Sequence, residues 1–172
     1  MEIWDVCDIN KNIIQGRTSV RGSDDMKDDE FHIVVFGVVI TPDKKLMVSK
    51  RHPDKMFGGV WEFNGGSAVS GETSRMAVER ELVEETGLDI SECYGEIVTT
   101  KVKYWPGSNW IYDVWVFVTE DALGKLTPQE NEVVEIELHS FEWVKEQLAA
   151  GNFTSLTEEF IDSVENYIKK LK

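Results

Sequence analysis

Residues 72–86 contain neither glycine nor proline, and they are bracketed by Gly71 and Gly87. This predicts a helix from Glu72 to Thr86, stopped by a glycine that enters the left-handed region without strain. On that helix Glu81, Glu84 and Glu85 are spaced i, i+3, i+4, so their carboxylates share one face within a turn. Such neighbours repel by roughly a few tenths of a kcal/mol per pair. An ordinary solvated face and a site for a hard divalent cation with oxygen ligands both fit the spacing. Gly65, Gly66 and Gly71 flank the preceding loop and allow the backbone to approach a ligand closely. Glu72 and Arg80 lie two turns apart and meet only if that loop folds back.

The chain has 172 residues and a formal charge of -14, with 41% hydrophobic residues. That suits one domain with a proper core rather than a disordered chain. No apolar run approaches the roughly 20 residues of a membrane span, and the Met1–Asp5 start lacks the features of a signal peptide. Cys7 and Cys93 form no CxxC pair, so a reducing cytoplasm is expected. The acidic balance argues against long nucleic acids, whose binding needs Lys and Arg. It leaves small phosphate compounds open.

Residues 3–18 read as a β-hairpin around Asn10-Lys11-Asn12, an extension (1–30) packed on the main domain (31–172). Strands are expected at 31–41, 45–50, 96–102, 111–119 and 132–138, with 52–59 a loop. Helices are expected at 141–150, capped by Ser140, and from a Ser155-x-x-Glu158 capping box to about Leu171. The mixture lacks regular βαβ alternation. The class is therefore α+β, or α/β with a mixed sheet, with helices on both faces.

Gly66, five residues, Glu72, seven residues and then Arg80-Glu81-Leu82-Val83-Glu84-Glu85-Thr86-Gly87-Leu88 resemble every fixed position of the Nudix box. Trp61-Glu62-Phe63-Asn64-Gly65-Gly66 is similar to the family's lead-in, with Asn64 where a proline is usual. That departure is expected to alter loop rigidity and to leave the metal ligands untouched. The resemblance implies an α/β/α sandwich that hydrolyses a diphosphate linkage in a nucleoside-diphosphate-type metabolite, using Mg²⁺ or Mn²⁺. It implies Glu81 and Glu85 as principal metal ligands, with Glu84 and the Gly65 carbonyl as further ones. Gly66, Glu72, Arg80 and Gly87 are implied to be structural. The general base is Glu84, Glu81 or a later glutamate, with Glu132 favoured.

The N-terminal residues Glu2–Asp8, Gly16–Thr18 and His32–Val34 also resemble the branch related to isopentenyl-diphosphate isomerase. However, the isomerase's cysteine position holds Gly65 and a histidine position holds Ser67, which leaves His32 alone. Arg51, Trp105 and Tyr112 are candidate substrate contacts, as the cation and aromatics available to a phosphate and a base. Trp110, Trp115 and the lysines 50, 101 and 103 are further possibilities. The alternatives to a hydrolase are a non-catalytic nucleotide sensor and, lower in rank, the isomerase. A monomer or a homodimer fits either enzyme reading.

Overall fold

The computed structural model describes residues 1–120, 126–154 and 156–171. β1 (Ile3–Cys7) and β2 (Ile13–Val20) pair antiparallel as a two-stranded sheet of their own. The larger sheet is built on β3 (His32–Ile40), which runs parallel to β8 (Trp110–Val118), with His32 opposite Trp110 and Ile40 opposite Val118. β4 (Leu46–Arg51), β5 (Trp61–Glu62), β6 (Asn64–Ser67), β7 (Gly95–Lys103) and β9 (Val133–His139) complete it among the described residues. The order is β5-β4-β3-β8-β7, with β6 on β3 and β9 on β4. The fold is a mixed α+β sandwich, as the pattern of elements implied.

Side chains alternate across β3 and β8 because successive strand residues point to opposite faces. Val38, Ile40, Tyr112, Val114 and Val116 enter one core with Phe141 and Val144 of α2 (Phe141–Ala149) and Phe160 and Val164 of α3 (Glu158–Lys170). Val35, Val39 and Phe117 enter the other with Ala77, Val78 and Leu82 of α1 (Ser74–Thr86). No helix among the described residues is long and apolar enough to cross a membrane.

The boundaries differ from expectation in instructive places. α1 starts at Ser74 rather than Glu72, because Thr73 is the N-cap, its side chain accepting from the Met76 amide. Glu72 is thereby free to turn its carboxylate elsewhere. β5 and β6 were not anticipated: one is two residues long, and the other contains the glycine pair that reads as loop. Ser155 lies outside the described residues, and α3 is capped by Thr157.

One buried charge binds the hairpin to the domain. Asp113 on β8 is wholly buried and accepts from Lys11 Nζ at 2.8 Å, Ser74 Oγ at 2.6 Å and Thr100 Oγ1 at 2.6 Å. Lys11 sits at the hairpin tip with φ 64, so the hairpin turn reaches the first turn of α1 through one carboxylate. Removing one partner of a buried pair leaves a charge without compensation. Lys11→Met is therefore expected to lower stability by about 2 kcal/mol, read as a lower urea midpoint at unchanged slope. A loss below about 0.5 kcal/mol, the range of ordinary surface substitutions, would show that the hairpin is not held by this pair.

Candidate active site

α1 lies on β3 and β6 because its apolar stripe, Ala77, Val78, Leu82 and Thr86, is buried against the sheet. Its end is closed by Gly87 at φ 73, whose N–H returns to the Val83 carbonyl. This seating turns Glu81 and Glu85 toward β6 and leaves Glu84 about half exposed.

Arg80 organises the approach. Its Nε and Nη2 donate to the two oxygens of Glu72 at 2.7 and 3.0 Å, and Nη2 also donates to the Ser67 carbonyl at 3.0 Å. Nη1 donates to Glu81 at 2.8 Å and to Glu84 at 3.0 Å. Glu72 additionally accepts from the Val69 amide at 3.0 Å, so the loop is folded back onto the helix. Burial raises the Glu72 pKa, but the Arg80 and Val69 bonds outweigh it and hold the carboxyl below its usual range. The hairpin supports the same loop from outside. Asp5 accepts from Ser70 Oγ at 2.6 Å and from the Gly71 amide at 2.8 Å.

Glu85 is held from the strand side. It accepts from Asn64 Nδ2 at 2.9 Å and from the Gly65 amide at 3.2 Å, while Asn64 Oδ1 accepts from Ser49 Oγ at 2.9 Å. The expectation that Asn64 leaves the metal ligands untouched is therefore corrected: its buried amide is a direct partner of Glu85. Burial pushes the Glu85 carboxyl up to about 8, and repulsion from Glu62 and Glu81 adds to this. Burial likewise raises Glu81, with Arg80 working against it, and raises Glu62 despite its ion pair with Arg51. Gly65 is required by close approach, since a Cβ there would stand 2.1 Å from the Val35 carbonyl oxygen, and a Cβ on Gly66 would displace the Glu81 carboxylate.

The other candidates separate. Arg51 borders the site, with Nη1 on Glu62, and Glu132 is ion-paired to Lys55 close enough to influence Glu62. Tyr112 does not face this site. It lies in the core on the opposite side of the sheet, 6% exposed, with its hydroxyl bonded to Thr157, because the alternation along β8 directs it there. Trp105 is exposed in the β7–β8 turn beyond the His32 end of β3, whereas Asn64 pairs with Gly37 further along that strand. His32 is a core residue stacked on Trp4 at 3.9 Å; burial lowers its pKa to about 4. Glu62 was missed. Its signal was its place in the Trp61–Gly66 stretch that resembles the family's lead-in, from which no role was drawn.

Among the described residues, no three or more His, Cys, Asp or Glu side chains converge as they would around a bound cation. Arg80 occupies oxygens of Glu81 and Glu84 instead. The donor set nevertheless fits a hard divalent ion: it is all oxygen, and its two inward carboxylates carry charge that burial and mutual repulsion disfavour. Glu81 and Glu85 are the residues that could hold it, with Glu84 at the rim.

A family model, the NUDIX domain, matches residues 31–160. An uncharacterized Nudix hydrolase of Listeria innocua is 31% identical over 156 residues, covering 89% of this chain and 88% of its own. An 8-oxo-dGTP diphosphatase of Proteus vulgaris is 35% identical over 68 residues, which are 40% of this chain and 60% of that protein. The crystal structure of DR0079 from Deinococcus radiodurans has the same fold, with TM-score 0.72 at 18% identity over 96% of this chain and 98% of that one.

The Glu85 shift has a stability consequence. A carboxyl whose folded pKa is raised favours the fold while protonated, so its contribution is full below about 4.5 and is lost as pH rises toward about 8. In metal-free buffer the melting temperature should fall across that window, and Glu85→Gln should flatten the fall. An equal fall in both proteins would show that Glu85 ionises as freely as in water.

Proposed function

The chain belongs to the NUDIX domain family of hydrolases, and on that premise we propose a divalent-metal-dependent enzyme that cleaves the diphosphate linkage of a small nucleotide-type metabolite. The observation that carries this reading is the pair of inward carboxylates, Glu81 and Glu85, fixed between Arg80 on one side and Asn64 and Gly65 on the other. The similarity to an 8-oxo-dGTP diphosphatase supports a nucleotide substrate. A net charge of -14 favours a small one over a polyanion.

Bound Mg²⁺ or Mn²⁺, held by Glu81 and Glu85 with Glu84 and the Gly65 carbonyl, would neutralise phosphate charge and lower the pKa of a water. The chain's own residues do the rest. Asn64 and the Gly65 amide fix the orientation of Glu85, and Arg80 fixes Glu81 while tying loop to helix. A new O–P bond forms from water as the bridging P–O bond breaks. We assign the proton of that water to Glu132, which lies close enough to Glu62 to act on it and is ion-paired to Lys55; Glu84, on the helix rim, is the second choice. Arg51, which is ion-paired to Glu62, is the cation proposed to meet phosphate charge. The two cysteines are unpaired, which supports a cytoplasmic location.

Isomerisation lacks its thiol. Gly65 and Ser67 lie on β6, while Cys7 is buried, its thiol pushed up to about 11 by burial.

A panel of nucleotide sugars, dinucleotides and nucleoside di- and triphosphates, with and without Mg²⁺, tests the proposal. Turnover should require the metal, Glu85→Gln should abolish it with the fold intact, and Glu132→Gln should reduce kcat by about 10²- to 10⁴-fold. An active Glu85→Gln enzyme would refute the metal assignment. Full activity in Glu132→Gln would move the base to Glu84.

A further inference from the structure

The loop between β4 and β5 presents an arrangement that stability does not account for. Phe57 is 71% exposed and holds φ 57, and Met56 beside it is 76% exposed. A bulky residue in the left-handed region is strained, and an exposed ring gains nothing from the core. The loop around them is nonetheless built. The Arg51 amide donates to the Val60 carbonyl and the Gly59 amide to the Arg51 carbonyl, each at 3.0 Å. Within it, the Lys55 amide donates to His52 at 3.0 Å and the Gly58 amide to Lys55 at 2.9 Å, while the His52 amide donates to the Glu132 carbonyl at 2.8 Å.

The loop also borders the carboxylate site directly. The Met56 carbonyl accepts from Arg51 Nε at 2.9 Å, and the same guanidinium is ion-paired to Glu62, which acts electrostatically on Glu85. Lys55, two residues before Phe57, is paired to Glu132. Moving outward from Glu85 there are thus carboxylates, then cations, then an exposed ring with a thioether beside it. A nucleoside diphosphate has the matching sequence of parts, from diphosphate to flat base. The two candidate aromatics lie elsewhere, Trp105 in the β7–β8 turn and Tyr112 in the core.

We propose that Phe57, flanked by Met56, is the platform on which the base of a nucleoside-diphosphate substrate stacks at the outer edge of the carboxylate site. This rests on the nucleotide reading given above, and it locates specificity in the loop rather than in the helix. Stacking of a base on an aromatic side chain tolerates any base, so the platform recognises nucleosides as a class. Met56 supplies an adaptable apolar contact beside the ring.

Calorimetric binding of ADP, GDP, CDP and UDP, with inorganic pyrophosphate as the probe lacking a base, tests this in the presence of Mg²⁺. Phe57→Ala should weaken the nucleoside diphosphates by about tenfold and leave pyrophosphate unchanged, while Phe57→Trp should bind them like wild type. Phe57→Gly, which relieves the backbone strain, should melt no lower than wild type and still bind nucleoside diphosphates as poorly as Phe57→Ala. The proposal is overturned if Phe57→Ala binds nucleoside diphosphates normally, if pyrophosphate affinity falls equally, or if wild type prefers no nucleoside diphosphate over pyrophosphate. Wild-type binding that depends on Phe57 without turnover of any nucleotide would support the platform and remove the hydrolase reading.

Discussion

The Arg80 guanidinium is the interaction on which the site depends. It donates to both oxygens of Glu72, to one oxygen each of Glu81 and Glu84, and to the carbonyl of Ser67, so one planar cation joins the loop, the helix and the end of β6. Lysine offers a point charge and cannot reproduce that fork. Without it, Glu72 would keep only the Val69 amide, Glu81 would lose its ion pair, and the loop between β6 and α1 would lose its anchor on the helix. Burial opposes the charge of Glu62, Glu72, Glu81 and Glu85, and each of these carboxylates has a donor facing it. Glu81 and Glu85 keep raised pKa values despite these donors, which is the basis for proposing a further cation there.

The sheet sets where this happens. Alternation along β3 and β8 separates two cores, and the α1 side places the helix carboxylates against the backbone of β6. The N-terminal hairpin lies largely outside the residues that match the family model, yet it holds both ends of the same construction. Asp5 fixes the loop before α1, and Lys11 reaches the Asp113 charge that also binds Ser74 at the helix start.

Much of this was legible in the residues. The helix with its glycine stop and the shared side of Glu81, Glu84 and Glu85 follow from helical spacing, whereas the Glu72–Arg80 pair depended on the loop folding back, as it does. β6 was not legible, because a strand carrying Gly65-Gly66 has neither the side-chain alternation nor the propensity by which strands are recognised. For the same reason Asn64 reads as a change in loop stiffness, when its buried amide is a hydrogen-bond partner of Glu85. Tyr112 illustrates the opposite problem. An aromatic in an alternating strand faces either core or site, and the direction depends on the register with β3, which one strand's sequence does not encode. Phe57 was hidden because its distinction is a backbone angle.

The Glu81 and Glu85 carboxylates, proposed as a divalent-cation site, carry charge that Arg80, Asn64 and the Gly65 amide offset only in part, and a bound ion would complete the compensation. Calorimetric titration of metal-stripped protein with Mn²⁺ at pH 7, repeated in buffers of different ionisation enthalpy, tests it most directly. The account predicts binding accompanied by proton release, because the raised Glu85 carboxyl must ionise, and at least about tenfold weaker binding in Glu85→Gln. Equal affinity in the two proteins, with no proton released by either, would contradict it.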